Sequence, residues 1–325
     1  MPRPTSSTTI QRPDLGAVAF EYAMEASQRG FIADQVLPIF KTQEKTSDYP
    51  IIPAEAVLKL PHNIKRAPKS SYAREDFSFE SGTYSCEDHG FEAVIDDEEA
   101  NLYRRFFDAE VVATKRAMNV ILRSREKRTA DLMFNATTFA GKTNAVINEW
   151  NKPNDATPKE DVNAAKKLIR QRTGLEANGM AISRSVFDAL LMAGEFLSHV
   201  DKTRAVLLEN FEIQKQLLAQ FFGVEKLLVG NAVYDSAKKN KDLSAADIWS
   251  VEYALVGIFA ENPEDLSEPC VGRSFLWTPD SPDILTTETY REEKVRGDVI
   301  RVRHNIDEVP VFVGAGQLLS NITAV

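Results

Sequence analysis

The chain has 325 residues, with 39 Lys and Arg against 48 Asp and Glu, a net charge of −9, and 43% hydrophobic residues. That is enough apolar content for a real core and excludes global disorder. The acidic balance argues against affinity for nucleic-acid phosphates, which needs clustered Lys and Arg.

Cys86 and Cys270 are the only two cysteines and lie far apart without a partner motif. No disulfide framework is expected, and a reducing compartment fits. The opening Met1-Pro2-Arg3-Pro4-Thr5-Ser6-Ser7 lacks the apolar run of a signal peptide. No stretch approaches the roughly 18 apolar residues of a membrane helix. The expectation is a soluble chain, intracellular when made.

Residues Met1 to Asp14, rich in Pro, Ser and Thr, read as a mobile N-terminal arm. Val18 to Phe40 is largely apolar and helix-prone, interrupted by Gly30 and with Pro38 near its end. From Thr46 to Gly90, prolines recur at Pro50, Pro53, Pro61 and Pro68 with few large apolar residues between them. So long a connection without regular elements is unusual inside a compact domain and usually has a function or is disordered. Around Ser81-Gly82-Thr83 the pattern allows a turn, so the flanking segments read as arms of a two-stranded loop.

Charges in this region are segregated. Lys59, Lys65, Arg66, Lys69 and Arg74 form a basic set that no acid interrupts. Glu75 to Glu99 carries Glu75, Asp76, Glu80, Glu87, Asp88, Glu92, Asp96, Asp97, Glu98 and Glu99, and no Lys or Arg. A solvated surface loop is the ordinary explanation. Contacts between subunits are the alternative.

The clearest element comes next. Asp96 or Asp97 can cap a helix with an acidic first turn, and no Pro or Gly follows until Gly141. Leu102, Phe106, Ala109, Ala113, Ala117, Val120 and Ser124 recur at helical spacing on one face. Arg123, Arg125, Lys127 and Arg128 stand toward the end, where cations suit the helix dipole. Continuous to Asn135, the helix would be roughly 55–60 Å long at about 1.5 Å per residue. It reads as a spine.

Pro158 to Thr173 is a further helix, with Pro in its first turn and Gly174 just past its end. Gly179 to Ser183 reads as a strand, Ser185 to Glu195 as a helix, Phe211 to Phe222 as a helix and Lys226 to Val229 as a strand. Ile248 to Ala260 is apolar and β-prone. From Gly272 strands dominate: Thr286 to Arg291, Val299 to His304 and Val309 to Val313, with Arg296-Gly297-Asp298 as a turn between the first two.

Motifs for chemistry fail on their own terms. Ala140-Gly141-Lys142-Thr143 ends like a phosphate-binding loop, but position 136 is Ala136 where the pattern needs Gly, and a long helix precedes it instead of a strand. Gly314-Ala315-Gly316 lacks the third glycine of a dinucleotide fingerprint and reads as a turn. Cys86, Asp88 and His89 fall short of the ligand number and spacing of a zinc site, and His62, His199 and His304 add none. Ser236-Ala237-Lys238-Lys239 fits a serine–lysine pattern in a polar segment, and no nucleophile elbow is present. Paired acids serve glycosidases, but among 48 acids a pair in sequence means little. No catalytic, cofactor-binding or metal residue is therefore assigned, and no cofactor.

The order of elements, together with Tyr84 to Asp97, Arg125-Glu126 with Leu132-Met133-Phe134-Asn135, and Gly272-Arg273-Ser274-Phe275-Leu276-Trp277, resembles the major capsid proteins of tailed phages, the Hong Kong 97-type architecture. The resemblance spans nearly the whole chain and rests on order and spacing. It implies an α+β phage capsid fold with N-terminal arm, extended loop, long spine helix, peripheral domain and axial domain. The expected boundaries are 1–45 for the arm and first helix, 46–95 for the extended loop and 96–173 for the peripheral domain with its spine. They continue as 174–271 for the axial domain and 272–325 for the return to peripheral β-structure.

What the resemblance further implies is a structural subunit, not an enzyme, that self-assembles into the icosahedral head shell. The expected partners are copies of itself in hexamers and pentamers, a separate scaffolding protein, a portal and a decoration protein. Packaged DNA would be enclosed without sequence-specific binding, and no membrane is involved. The setting is the virion capsid, with assembly in the host cytoplasm. Candidate subunit-interface residues are Lys59, Lys65, Arg66, Lys69, Arg74, Glu75, Asp76, Glu80, Glu87 and Asp88. An encapsulin-type compartment shell and a soluble α/β enzyme are the alternatives. A cargo pocket would mark the first, a monomer with turnover the second.

Overall fold

The computed structural model describes residues 10–11, 30–53, 79–98, 109–200, 210–238 and 244–323, with positions 58–60, 65, 66, 68, 71, 72, 101, 241 and 242 between them. In the first part of the chain, β1 (Ile10–Gln11) is followed by α1 (Ala33–Val36), β2 (Ile39–Thr42) and β3 (Thr46–Ile51). Next come β4 (Glu80–Ser85), β5 (Glu87–Asp96), the spine helix α2 (Ala109–Met133) and β6 (Thr143–Ala145). A mixed region holds α3 (Pro158–Thr173), β7 (Gly179–Ser183), α4 (Arg184–Met192), α5 (Gly194–His199), α6 (Phe211–Phe222) and β8 (Lys226–Gly230). Then follow β9 (Val233–Asp235), β10 (Ala245–Asp247), β11 (Ala254–Gly257) and β12 (Arg273–Trp277). The chain closes with β13 (Thr286–Glu292), β14 (Gly297–Val309), a 3-10 turn at Val313–Ala315, and β15 (Gly316–Ser320).

Two sheets organise these elements. The first runs β1-β13-β14-β12-β2, with β5 also on β14. Ile306 pairs both Glu87 of β5 and Leu276 of β12, and Val299 pairs both Val94 and Tyr290. The long β14 therefore carries β5 along one edge, and β13 then β12 along the other. The second sheet runs β6-β15-β11-β7-β8, with α3 packed on β15 and β11. Its core gathers Phe139, Trp150, Ile169, Phe187, Phe222, Trp249, Leu255 and Phe259, all nearly or fully buried.

Local chemistry sets several boundaries. Pro158 opens α3, where a missing amide costs nothing, and Gly174 closes it at φ 73 with its N–H on the Arg170 carbonyl. The Asn210 side chain accepts the Glu212 amide at 2.9 Å to start α6, which Gly223 ends in the left-handed region. In both helices the expected range agrees with the structure.

Elsewhere the structure differs. Within Val18 to Phe40 the described helix is only Ala33–Val36, and Phe40 lies in β2; Pro38 lacks an amide and turns Leu37 away from helical geometry. Ser81-Gly82-Thr83 is no turn but the middle of β4, paired with Pro50, Tyr49 and Asp48. The expected loop of 46–95 also takes in β5, a ten-residue strand of the first sheet. The helix expected from Ser185 to Glu195 breaks at Ala193, whose extended backbone lets the Gly194 amide donate to the Pro153 carbonyl at 2.8 Å. Within Ile248 to Ala260, only Ala254–Gly257 is strand.

The turn between β13 and β14 lies at Glu293–Arg296, with Arg296 at φ 48, and Gly297 already belongs to the ladder. No strand spans Val309 to Val313: Pro310 ends β14 for want of an amide, and the last strand is Gly316–Ser320. That strand joins the second sheet beside β11, so the closing segment contributes to both sheets.

The spine helix joins the two bodies. Its 25 described residues span about 37 Å at about 1.5 Å each. Ala117, Met118, Ile121 and Leu122 pack on Phe91, Ala93, Leu285 and Val302 of the first body. Ala130 and Met133, about two to three turns later, lie in the core of the second. The expected stripe was rotated: Val120 is 38% exposed and Ser124 is exposed, while Thr114, Arg125, Glu126 and Thr129 are buried. Arg125 and Arg128 serve ion pairs with Asp34 and Glu308 instead of the helix end. At the expected start Asp96 Oδ1 accepts the Glu98 amide at 2.7 Å and 97–98 are helical, while Leu102 and Phe106 lie outside the described residues.

Candidate assembly surface

Strands β3 and β4 form a two-stranded antiparallel ribbon that stands apart from both sheets. A ribbon of two strands is marginal alone, so its attachment decides whether it holds a direction. Tyr84 lies flat on Phe275 of β12, with ring centroids 4.3 Å apart and planes 3° from parallel. Tyr49 stacks on the same ring at 5.5 Å, and Phe40 meets its edge at 5.8 Å. The Tyr84 hydroxyl sits 2.7 Å from Thr42 Oγ1, and the Ser85 amide donates to Asp307 at 2.8 Å. Gly82, opposite Tyr49, is needed: a Cβ there would lie 2.3 Å from Tyr49 Cζ.

Beyond this root, most described side chains of the segment face solvent, though Leu58 lies against Gly174 at the end of α3. Leu60 is 90% exposed, Tyr72 68% and Phe79 67%, values far from those of a chain packed in its own core. Lys59, Lys65 and Arg66 are exposed, with the Arg66 guanidinium 5.0 Å from the Tyr72 ring centre. Lys69, Arg74, Glu75 and Asp76 lie outside the described residues.

The acidic block has two fates. Glu80, Glu87 and Asp88 are exposed. Glu92 and Asp97 are consumed inside the subunit, Glu92 on the sheet face turned away from the spine and Asp97 against Arg291, which the register places on the opposite face with Val302. Arg301 pairs with Glu92 at 2.7 Å, and the Tyr290 hydroxyl donates to the same carboxylate at 3.2 Å. Arg291 pairs with Asp97 at 2.7 Å. Alongside, Arg303 bridges Glu288 at 2.8 Å and Asp280 at 2.6 Å. Hydrogen bonds to these carboxylates raise the Arg301 and Arg303 guanidinium pKa values, and Arg303 holds the Asp280 carboxyl below its usual range.

The motifs weighed for chemistry take structural places. Lys142 and Thr143 lead into the edge strand β6 where a phosphate loop would start a helix. Cys86 is buried, its thiol pushed up to about 11 chiefly by burial, and points at the Phe275 carbonyl. Asp88 and His89 are neighbours on β5 and so face opposite sides of the sheet. Among the described residues no group of three His, Cys, Asp or Glu is placed to hold a metal. Ser236 donates to the Ser244 carbonyl at 2.9 Å, closing a turn.

Two determinants escaped the sequence. Phe275 sits in a motif noted only for its order, with nothing to mark it as the meeting point of three rings. Arg125 and Glu126 look like surface charges, but both are buried. Glu126 accepts amides from Ile32 at 2.8 Å and Ala33 at 2.9 Å, and the Trp249 indole N–H at 2.7 Å.

No family model matches the chain. Among curated proteins, it is 25% identical over 228 residues to the major capsid protein of Burkholderia phage BcepMu, covering 69% of this chain and 70% of that protein. It is 24% identical over 247 residues to the major capsid protein of Pseudomonas phage JBD67, covering 75% and 76%. Among solved structures, a phage-related protein from Bordetella bronchiseptica RB50 superposes with a TM-score of 0.71 at 20% identity, over 97% of this chain and 98% of that one. The capsid of cyanophage P-SCSP1u superposes at 0.53 and 10% identity, over 88% and 86%. The fold is that of phage capsid proteins.

Proposed function

We infer that this chain is a capsid shell subunit, the major capsid protein of a bacteriophage, with a structural and not an enzymatic role. The observation that carries it is the similarity to two phage major capsid proteins over about 70% of their length, on a capsid fold that spans nearly the whole chain. The geometry suits the task. A spine helix shared by two cores makes the subunit stiff, and a ribbon with exposed apolar tips extends from it.

Self-association into capsomers is the work of such a subunit, and repeated head-to-tail contacts generate rings and closed surfaces. In this reading the part of the extended loop ahead of β5 lies over a neighbouring copy, the axial domain at 174–271 meets its copies about the capsomer axis, and hexamers and pentamers close an icosahedral head. Lys59, Lys65, Arg66, Lys69 and Arg74, with Glu75, Asp76, Glu80, Glu87 and Asp88, contribute to those contacts. A separate scaffolding protein, a portal and a decoration protein complete the particle, which encloses DNA without reading its sequence. Assembly takes place in the host cytoplasm.

Negative-stain imaging of the purified protein tests the reading. Regular shells or rings of five and six are expected. A monomer at all concentrations, with or without co-expressed phage assembly proteins, would count against it.

A further inference from the structure

We propose that Phe275, with Tyr49 and Tyr84 stacked on it, is the positioning element that sets the angle at which the β3–β4 ribbon leaves the subunit, and through it the curvature of the shell. The proposal rests on the shell reading above. Tyr49 and Tyr84 come from opposite strands of the ribbon yet are only 5% and 6% exposed, because one fully buried ring on β12 takes both. Two rings from two strands on one platform fix orientation as well as attachment. A tilt of the ribbon would part the Tyr84 and Phe275 faces and wet both, which burial of apolar area opposes.

The remaining contacts act in the same sense. The Tyr84 hydroxyl engages Thr42 and the Glu44 carbonyl, on the chain that leads into β3. The Cys86 amide donates to the Lys45 carbonyl at 2.9 Å, closing the base of the ribbon, and its thiol meets the Phe275 carbonyl. Gly82 leaves the space that the Tyr49 ring fills. Six residues of strand at about 3.3 Å each make a lever of about 20 Å, so a tilt of about 10° at the root moves its end by about 3–4 Å. Summed around a closed surface, such an error changes which particle closes.

The experiment uses particles made by the full chain in cells and measures their diameters by cryo-electron microscopy. Tyr84→Phe keeps the stack and loses one hydroxyl; Tyr84→Leu loses the stack; Gly82→Ala keeps every ring but drives Tyr49 off its seat. Leu285→Ala and Ile121→Val, in the core beneath the spine helix, serve as controls, compared at matched loss of melting temperature. Wild-type and Tyr84→Phe particles are expected to share one narrow distribution, whereas Tyr84→Leu and Gly82→Ala broaden the spread of diameters at least twofold and the matched control does not. Wild-type diameters from both ring-displacing variants, or equal broadening from the control, would overturn the clamp. Failure of the wild-type chain to form particles, with or without co-expressed phage assembly proteins, would instead remove the shell reading.

Discussion

The indole N–H of Trp249 donates to the carboxylate of Glu126 across 2.7 Å, joining the core of the second sheet to the spine helix. The same carboxylate accepts the amides of Ile32 and Ala33 at the start of α1. Three segments far apart in sequence thus converge on one buried side chain, and each donor is a group that burial alone would leave unsatisfied. Burial pushes the carboxyl pKa upward, while the three donors and Arg125 oppose that shift.

Glu126→Gln should expose the dependence on this junction. An amide has one acceptor oxygen, so its NH2 must face at least one donor that the carboxylate now satisfies. The expected loss is about 1–3 kcal/mol, read from urea unfolding of the unassembled subunit at neutral pH. An unchanged midpoint would mean that the three segments are held by packing alone.

A second dependence is on acid. His304 is fully buried, and its pKa is pushed down to about 3, chiefly by burial and then by the charges of Arg125 and Arg128. Arg128 can only donate, so Nε2 at 3.2 Å accepts, and the ring proton resides on Nδ1 toward the Ile284 carbonyl. The folded value lies below the unfolded value of about 6.5, so the neutral ring stabilises the fold above that pH. That stability is lost as pH falls from about 6.5 toward 3, by at most about 1.4 kcal/mol per pH unit. His89, also held low chiefly by burial, adds in the same sense. His304→Gln should flatten the decline in urea midpoint between pH 7 and pH 5; a slope equal to that of the wild type would assign the acid sensitivity elsewhere.

What the sequence made legible was local. Helix α3 announces itself by Pro158 and Gly174, and α6 by Asn210 and Gly223, because capping is chemistry between near neighbours. The face of the spine was misread for the opposite reason: Arg125 and Glu126 are buried by partners 91 to 149 residues away, which periodicity cannot see. Ser81-Gly82-Thr83 looked like a turn because glycine usually marks one, whereas here its missing Cβ makes room for Tyr49 across the strand. Strand β5 was hidden because Glu87, Asp88 and Glu92 are exposed and, of the inward positions that follow Glu87, only Ile95 is buried, His89, Phe91 and Ala93 being half-buried. Of the basic candidates Lys59, Lys65 and Arg66 lie exposed, and only tertiary pairing could separate Glu92 and Asp97 from Glu80, Glu87 and Asp88.

Limited proteolysis should distinguish the ribbon's root from what lies beyond it. Lys59, Lys65 and Arg66 are exposed and outside the stacked rings. Trypsin should cut the unassembled subunit first at these positions, identified by mass spectrometry of the fragments. In particles the same cuts should slow at least tenfold if a neighbouring copy covers the segment. Equal rates in both forms would leave it a solvent-facing loop.

Val120→Pro should separate stiffness from packing. Val120 is mid-helix and 38% exposed, so little apolar contact is lost. Proline removes one backbone bond and clashes with the preceding turn, at a cost of about 3 kcal/mol or more. Val120→Ala, with the same exposure and an intact backbone, should assemble normally, while the proline variant should lose particles in sedimentation. Normal particle yield from the proline variant would mean that the two bodies need no continuous strut between them.

The segregated charges make the last test, and the ion pairs of the first sheet sharpen it. Glu92 and Asp97 already hold Arg301 and Arg291, so the acids left for contacts outside the subunit are those nearer the ribbon, Glu80, Glu87 and Asp88. If the basic block meets such acids on a neighbour, each exposed pair contributes only about 0–1 kcal/mol. A shell repeats the contact at every subunit, so small terms decide closure. Replacing Lys65, Arg66 and Lys69 with Glu should suppress assembly at low salt, followed by light scattering. Part of the defect should vanish near 1 M salt, where the Debye length falls to about 3 Å. Glu92→Gln should behave differently: its partner Arg301 is within the same subunit, so thermal stability should drop slightly while the salt dependence of assembly stays that of the wild type. Unchanged assembly of the triple variant at low salt would reduce the segregated block to a solvated surface. Loss of salt dependence in Glu92→Gln would show that the acids of β5 reach beyond their own sheet.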